Sequence, residues 1–289
     1  MPILALLQVV LISGANIAGG YAARRIGAVP SAAGLVLAAA IVLSLCAAAL
    51  GTPVGMETLD TRAWLGGLTF AAGLLGTIAA IARGNAALVS AITVTTSTLT
   101  VVVGEALLSR GLSLTTIAVL VCVMLALWIG TFPSAGSLAL PRIAALFAFG
   151  SGLFFGLNGL IFSAGQDQAQ VQLAASTRVC AVPLLWVVLS VSWTLPRSRS
   201  TTASSEVLGR RVWSSVLIVL LAGTLDAAGN TVFMYSISAS SLAEASILGS
   251  LIPLATVFLG WWVLRERPSV RAFLGGACAV AAVVVQVLW

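Results

Sequence analysis

Charged residues are kept out of long stretches of this chain, and at a regular interval. The nineteen residues from Ser246 to Leu264 contain no ionisable side chain, and Arg265-Glu266-Arg267-Pro268 follows at once. A helix needs about 20 apolar residues to cross roughly 30 Å of hydrocarbon. A charged turn followed by proline is where such a helix stops. Ten segments of this kind can be marked, at 2–23, 29–50, 63–82, 85–108, 113–132, 142–164, 170–193, 212–236, 242–264 and 268–288. Only the stretches 51–62 and 194–211 are long and polar enough to form surface loops. Charged residues make up 8% of the chain, against about 25% in soluble domains, and the mean hydropathy is +1.13. The pattern predicts an all-α integral membrane protein with ten transmembrane helices and no extramembrane domain, so its function lies within the bilayer.

The net charge of +6 comes from arginine alone, because the chain has no lysine. The arginines stand mostly at the ends of apolar runs, where they set topology. No basic patch with interleaved aromatics occurs, which excludes a nucleic-acid partner. Cys46, Cys122, Cys180 and Cys278 all lie inside apolar runs and read as small core residues, with neither disulfide nor metal-ligand spacing. There is no histidine, which removes Ser-His, Cys-His and HExxH chemistry. The expectation is no enzyme, no cofactor and no metal. Residues 2–23 lack a basic leader region and read as a retained first span. Trp64, Trp128, Trp193, Trp213, Trp261, Trp262 and Trp289 fall at span ends, as an aromatic belt does, whereas Trp186 lies deeper.

The span ending at Leu264 has an echo earlier in the chain. At an offset of 156 positions, Thr256, Val257, Gly260, Leu264 and Ser269 match Thr100, Val101, Gly104, Leu108 and Ser113. The same offset puts Ala227-Ala228-Gly229 on Ala71-Ala72-Gly73, Ala243 on Ala87, and Ser246 on Ser90. Near the start of each half the offset is closer to 142, which places Asn16 on Asn158. Spans one to five and six to ten therefore read as two copies of one unit, over residues 1–133 and 140–289. A unit with an odd number of spans inserts its second copy upside down, which gives the inverted five-helix repeats of many secondary transporters.

The stretch from Gly229 to Val285 also resembles the C-terminal half of EamA-type carriers of the drug/metabolite transporter superfamily. The resemblance lies in the order of elements: a small-residue helix, a proline-containing helix ending in glycine and aromatics, an Arg-Glu turn, and a Gly/Ala-rich last helix. A weaker copy, TTSTLTVVVGEALLSRGLS, begins at Thr95. The resemblance covers the full length and implies ten spans in two five-span halves. It also implies a secondary carrier, often an exporter, of amino acids, metabolites or drugs. Where the family often has Glu-Pro this chain has Ile252-Pro253, its first-half proline is replaced by Ser97, and the arginine common in the second helix of each half is present as Arg178 but absent near Val36.

An ionisable side chain at a helix centre costs about 2.5–3.5 kcal/mol on insertion scales and usually faces a cavity or a partner. Asp226 lies mid-span with Asn230 one turn later on the same face, as a cavity wall for a cationic group or a proton, or as an interhelical hydrogen bond. Arg178 reads as the counter-charge of a carboxylate or as a structural partner of Asp226. Glu105 and Glu244 stand near span ends. The hydroxyls at Thr93, Thr95, Thr96, Ser97, Thr98 and Thr100 surround their helix, so some must bond back to their own backbone. Asn16 and Asn158 are polar mid-span groups related by the repeat. The candidate substrate-binding set is Asn16, Thr96, Asn158, Arg178, Asp226, Asn230 and Tyr235.

Loops after odd-numbered spans hold Arg24, Arg25, Arg83, Arg142, Arg197, Arg199, Arg210, Arg211, Arg265, Arg267 and Arg271, and loops after even-numbered spans hold Arg62 and Arg110. The positive-inside rule then puts both termini outside, whereas the resemblance implies both inside, and orientation stays open. The functional expectation is a monomeric secondary carrier in the plasma or inner membrane. It exports small polar metabolites such as amino acids by alternating access. The alternatives are efflux of lipophilic cations and a non-transporting membrane partner protein.

Overall fold

The computed structural model describes residues 2–107, 118, 121, 125, 141–163, 170–194, 205–239, 249 and 251–264. All but residues 118, 121 and 125 of the expected fifth span, the whole of the expected tenth, Glu244, and the side chain of Glu105 lie outside the described residues. Eight helices are described: α1 (Pro2–Ile26), α2 (Ala28–Ala49), α3 (Thr61–Arg83), α4 (Ala86–Leu107), α5 (Arg142–Ser163), α6 (Gln170–Thr194), α7 (Ser205–Ala239) and α8 (Ile252–Leu264). A single 3-10 turn, Met56–Thr58, precedes α3, and no strand occurs among the described residues. Six of these helices contain stretches long and apolar enough to cross a membrane, with a shorter apolar stretch at Leu88–Gly104 in α4. The chain is a multi-pass helical membrane protein.

Local chemistry sets the boundaries. Gly27, at φ 95°, makes the one-residue turn between α1 and α2, a backbone conformation that a side chain would strain. The Asp60 carboxylate accepts from the Ala63 backbone N–H at 2.8 Å and caps α3, and the Asn85 side chain does the same for Leu88 at 3.1 Å in α4. α7 departs from expectation, because it begins at Ser205 inside the stretch 194–211 expected as a loop. Residues 205–211 contain no proline and open with Ser-Glu, which suits a helix N-terminus despite their polarity. The span expected over 242–264 is interrupted: Gly249 is helical, Leu251 is in a turn, and α8 starts at Ile252 with Pro253 in its first turn. Proline lacks the N–H and clashes with the carbonyl four residues back, so it is tolerated in a first turn and not within a continuous helix.

Close helix crossings hold the bundle together. α1 runs along α7, α3 along α5, α4 along α5, and α2 along α6, while α2 also packs on α7 and α3 on α6. Glycines stand at the crossings because nothing larger fits. A methyl group at Gly67 would lie 2.8 Å from Cys180 Cβ and 2.9 Å from the Ala181 nitrogen, and one at Gly223 would lie 2.5 Å from Ala38 Cβ and 3.1 Å from the Ala39 nitrogen. Gly152 and Gly156, one turn apart on α5, meet α4 still more closely, with a methyl at Gly152 only 2.4 Å from the Thr93 carbonyl oxygen. Small residues at such spacing let backbones approach where lipid supplies no hydrophobic drive. The outward faces carry large apolar side chains, among them Leu37, Ile41, Leu153, Val187 and Leu217, together with Trp64, Trp186, Trp193, Trp213 and Trp262, as lipid contact requires.

Candidate functional site

A cavity of about 140 Å³ opens where α1, α3, α4, α5 and α7 converge beside the start of α8. Each helix lines it with a stripe at helical spacing. α1 supplies Gln8, Ile12 and Asn16; α3 supplies Phe70, Leu74 and Thr77; α7 supplies Asp226, Asn230 and Phe233. From α4 come Ser90, Thr93, Val94, Ser97 and Thr98, and from α5 come Phe155, Asn158 and Gly159. Positions three and four apart share a helix face, so a few polar residues per span suffice to make one wall.

Hydrogen bonds between helices fix these walls. Asn158 donates its amide N–H groups to the Gly66 carbonyl at 2.7 Å and to the Thr69 hydroxyl at 3.1 Å, which leaves its carbonyl oxygen as the group it can offer. Ser151 donates to the Gly73 carbonyl at 2.6 Å and lies 2.5 Å from the Thr77 hydroxyl. Thr93 donates to the Ala148 carbonyl at 3.2 Å, and Ser13 to the Ile252 carbonyl at 3.0 Å. Thr100 bonds back to the Thr96 carbonyl at 2.8 Å, so the hydroxyls of α4 divide between the cavity, a neighbouring helix and their own backbone.

The charged centre lies on the α7 side. Arg178 of α6 is fully buried, and its Nε donates to Asp226 Oδ2 at 3.3 Å. Asn230 braces the other carboxylate oxygen, donating to Asp226 Oδ1 and to the Asp226 carbonyl, each at 2.9 Å. The Arg178 guanidinium carbon lies 3.3 Å from the centre of the Phe70 ring, a cation–π contact. Its Nη1 and Nη2 have no hydrogen-bond partner among the described residues.

Of the seven residues expected from sequence, Asn16, Asn158, Asp226 and Asn230 line this one cavity, and Arg178 stands behind its wall. Two lie elsewhere. Tyr235 is half exposed and absent from the lining, because nine residues beyond Asp226, at about 100° each, turn it to the opposite face of α7. Thr96 is buried against Gly152 of α5, where its Cβ would lie 2.6 Å from an added methyl. Sequence reasoning passed over Gln8 and Ser90. Both are buried and line the cavity, and Gln8 Oε1 and Ser90 Oγ have no partner among the described residues. Gln8 stands two turns before Asn16 in the first span, and Ser90 was already matched to Ser246 by the repeat, so both left a signal. Phe70, Phe155 and Phe233 left none, since an aromatic in an apolar span does not announce its face.

A family model of EamA-like transporters matches residues 142–288, which is half of the chain. The chain belongs to the EamA-like transporter family. One solved protein crystal structure superposes on this EamA-like chain with a TM-score of 0.74 at 12% sequence identity, covering 99% of this chain and 96% of that one. At that identity the likeness establishes a shared fold. No curated protein matches the sequence.

Proposed function

We propose that this EamA-like protein is a secondary carrier that moves small polar metabolites, amino acids foremost, by alternating access about the cavity. One observation carries the reading: the wall carboxylate of Asp226 is neutralised from behind by Arg178 and braced by Asn230. An ionisable group in this setting marks a substrate or ion path. The lining is rich in acceptors, with the Asn158 carbonyl, Gln8 Oε1, hydroxyls and one carboxylate edge, and it suits an ammonium group. Export across the plasma or inner membrane, without catalysis and as a monomer, completes the proposal.

Ten spans in two inverted five-helix repeats fit the helix pairings. Exchanging α1 with α5, α2 with α6, α3 with α7 and α4 with α8 maps each of the six pairings described above onto another close pairing or onto itself. The glycine contacts obey the same exchange. Gly67 and Gly223 are 156 apart, and the residues they touch, Cys180-Ala181 and Ala38-Ala39, are 142 apart. Both offsets are those of the sequence repeat, and rocking one repeat against the other is how such carriers alternate.

The rings of Phe70, Phe155 and Phe233 in the lining favour a second reading, efflux of a lipophilic cation. Thermal-shift screening of the purified protein against amino acids, nucleosides and lipophilic cations separates the two. Stabilisation by amino acids supports the proposal, and stabilisation by lipophilic cations alone replaces it with the second reading.

A further inference from the structure

An amino acid carries a carboxylate as well as an ammonium, and among the described lining residues there is no cation to receive it. Arg178, in contact with two lining residues, uses only Nε on Asp226, and its Nη1 and Nη2 have no partner among the described residues although the side chain is fully buried. A guanidinium presents five N–H groups in a planar fork that matches a carboxylate two bonds at a time. Burying it with most of that fork idle is unfavourable, and an apolar side chain at this position would avoid the penalty. Phe70 joins the fork to the cavity: its ring stacks on the guanidinium and at the same time lines the cavity.

We propose that Arg178 is a carboxylate subsite gated by Phe70. When the ring swings aside, the fork opens to the cavity and the substrate carboxylate meets Nη1 and Nη2 in the guanidinium plane, while Asp226 stays on Nε and the acceptor-rich wall holds the ammonium. The exchange trades a cation–π contact for charge-assisted hydrogen bonds, so the subsite is shielded from the cavity until a carboxylate arrives. This inference deepens the carrier reading and rests on it for the identity of the substrate, but not for the subsite itself.

Phenylglyoxal, which modifies accessible arginines, tests it on the full chain in detergent, with labelling read by peptide mass spectrometry and butyrate as the carboxylate probe. Phe70→Leu removes the stacking face and is expected to label Arg178 about thirtyfold faster than the unmutated protein, the factor that a desolvated cation–π contact of about 2 kcal/mol corresponds to. Butyrate slows this labelling, butyramide does not, and Phe70→Tyr, which keeps the face, labels like the unmutated protein. Equal labelling of Phe70→Leu and the unmutated protein, or no protection by butyrate, overturns the subsite. The unmutated protein gives a second measurement: norvaline raises its unfolding temperature at concentrations where norvalinamide does not, and equal shifts count against the subsite. Butyrate protection without amino-acid transport would leave the subsite standing and remove the amino-acid reading of the carrier. Transport with equal recognition of norvaline and norvalinamide would do the reverse.

Discussion

Replacing Asp226 by asparagine removes the charge that Arg178 was buried to meet while keeping the shape of the side chain. At the 3.3 Å separation of Nε and Oδ2, the Coulomb attraction is about 5 kcal/mol at an effective dielectric of about 20. Removing one partner of a buried pair costs about 3–5 kcal/mol. The asparagine oxygen can still accept the Nε–H, so the lower figure, about 3 kcal/mol, is expected. A native state stabilised by about 5–15 kcal/mol survives that loss, and the variant still folds in membranes, with a drop in unfolding temperature on the order of 10 °C. The single changes Asp226→Leu and Arg178→Met together with the double variant complete a cycle. Removing both charges leaves nothing uncompensated, so the double variant recovers to within about 1 kcal/mol of the parent. Unfolding followed by circular dichroism in detergent reads all of these variants. Additive single effects, or an Asp226→Asn variant as stable as the parent, would refute the reasoning that Arg178 depends on this carboxylate.

Other outcomes follow from the same geometry. Gly152→Val forces a side chain against the Thr93 carbonyl of α4 and should lower stability by about 2 kcal/mol or more, read in the same unfolding assay. Gly67→Ala and Gly223→Ala each press a methyl against a neighbouring helix backbone, so each should lower stability by about 1–3 kcal/mol. Asn158→Ala breaks two interhelical hydrogen bonds and is expected to cost about 1–3 kcal/mol, with transport reduced as well. Gln8→Leu should leave stability unchanged or raised, because an unpartnered buried oxygen is removed, while transport in proteoliposomes falls.

Hydropathy and charge placement made the spans legible, because a bilayer imposes length and excludes charge with little regard to detail. Position along each apolar run was legible too, so Asp226, Asn230, Asn16 and Asn158 could be picked out as polar groups far from the run ends. Azimuth was not. These helices are apolar nearly all round, and a stripe of three polar positions is easily lost among them. Thr96 and Tyr235 were assigned by residue type and point elsewhere, one into the α4–α5 crossing and the other away from the cavity. Arg178 was legible as a partner for Asp226, but its stacking on Phe70 joins residues 108 positions apart, with no local pattern to betray it. The start of α7 at Ser205 was missed because polarity was read as loop where helix propensity prevailed.

The carrier claim itself meets its most direct test in counterflow. Proteoliposomes loaded with an unlabelled neutral amino acid mixture are diluted into trace amounts of the radiolabelled mixture. The unmutated protein should accumulate label transiently and saturably above protein-free liposomes, and Asp226→Asn should abolish that accumulation while remaining folded. No accumulation by the unmutated protein would contradict amino-acid transport, and undiminished accumulation by Asp226→Asn would take the cavity's charged centre out of the mechanism.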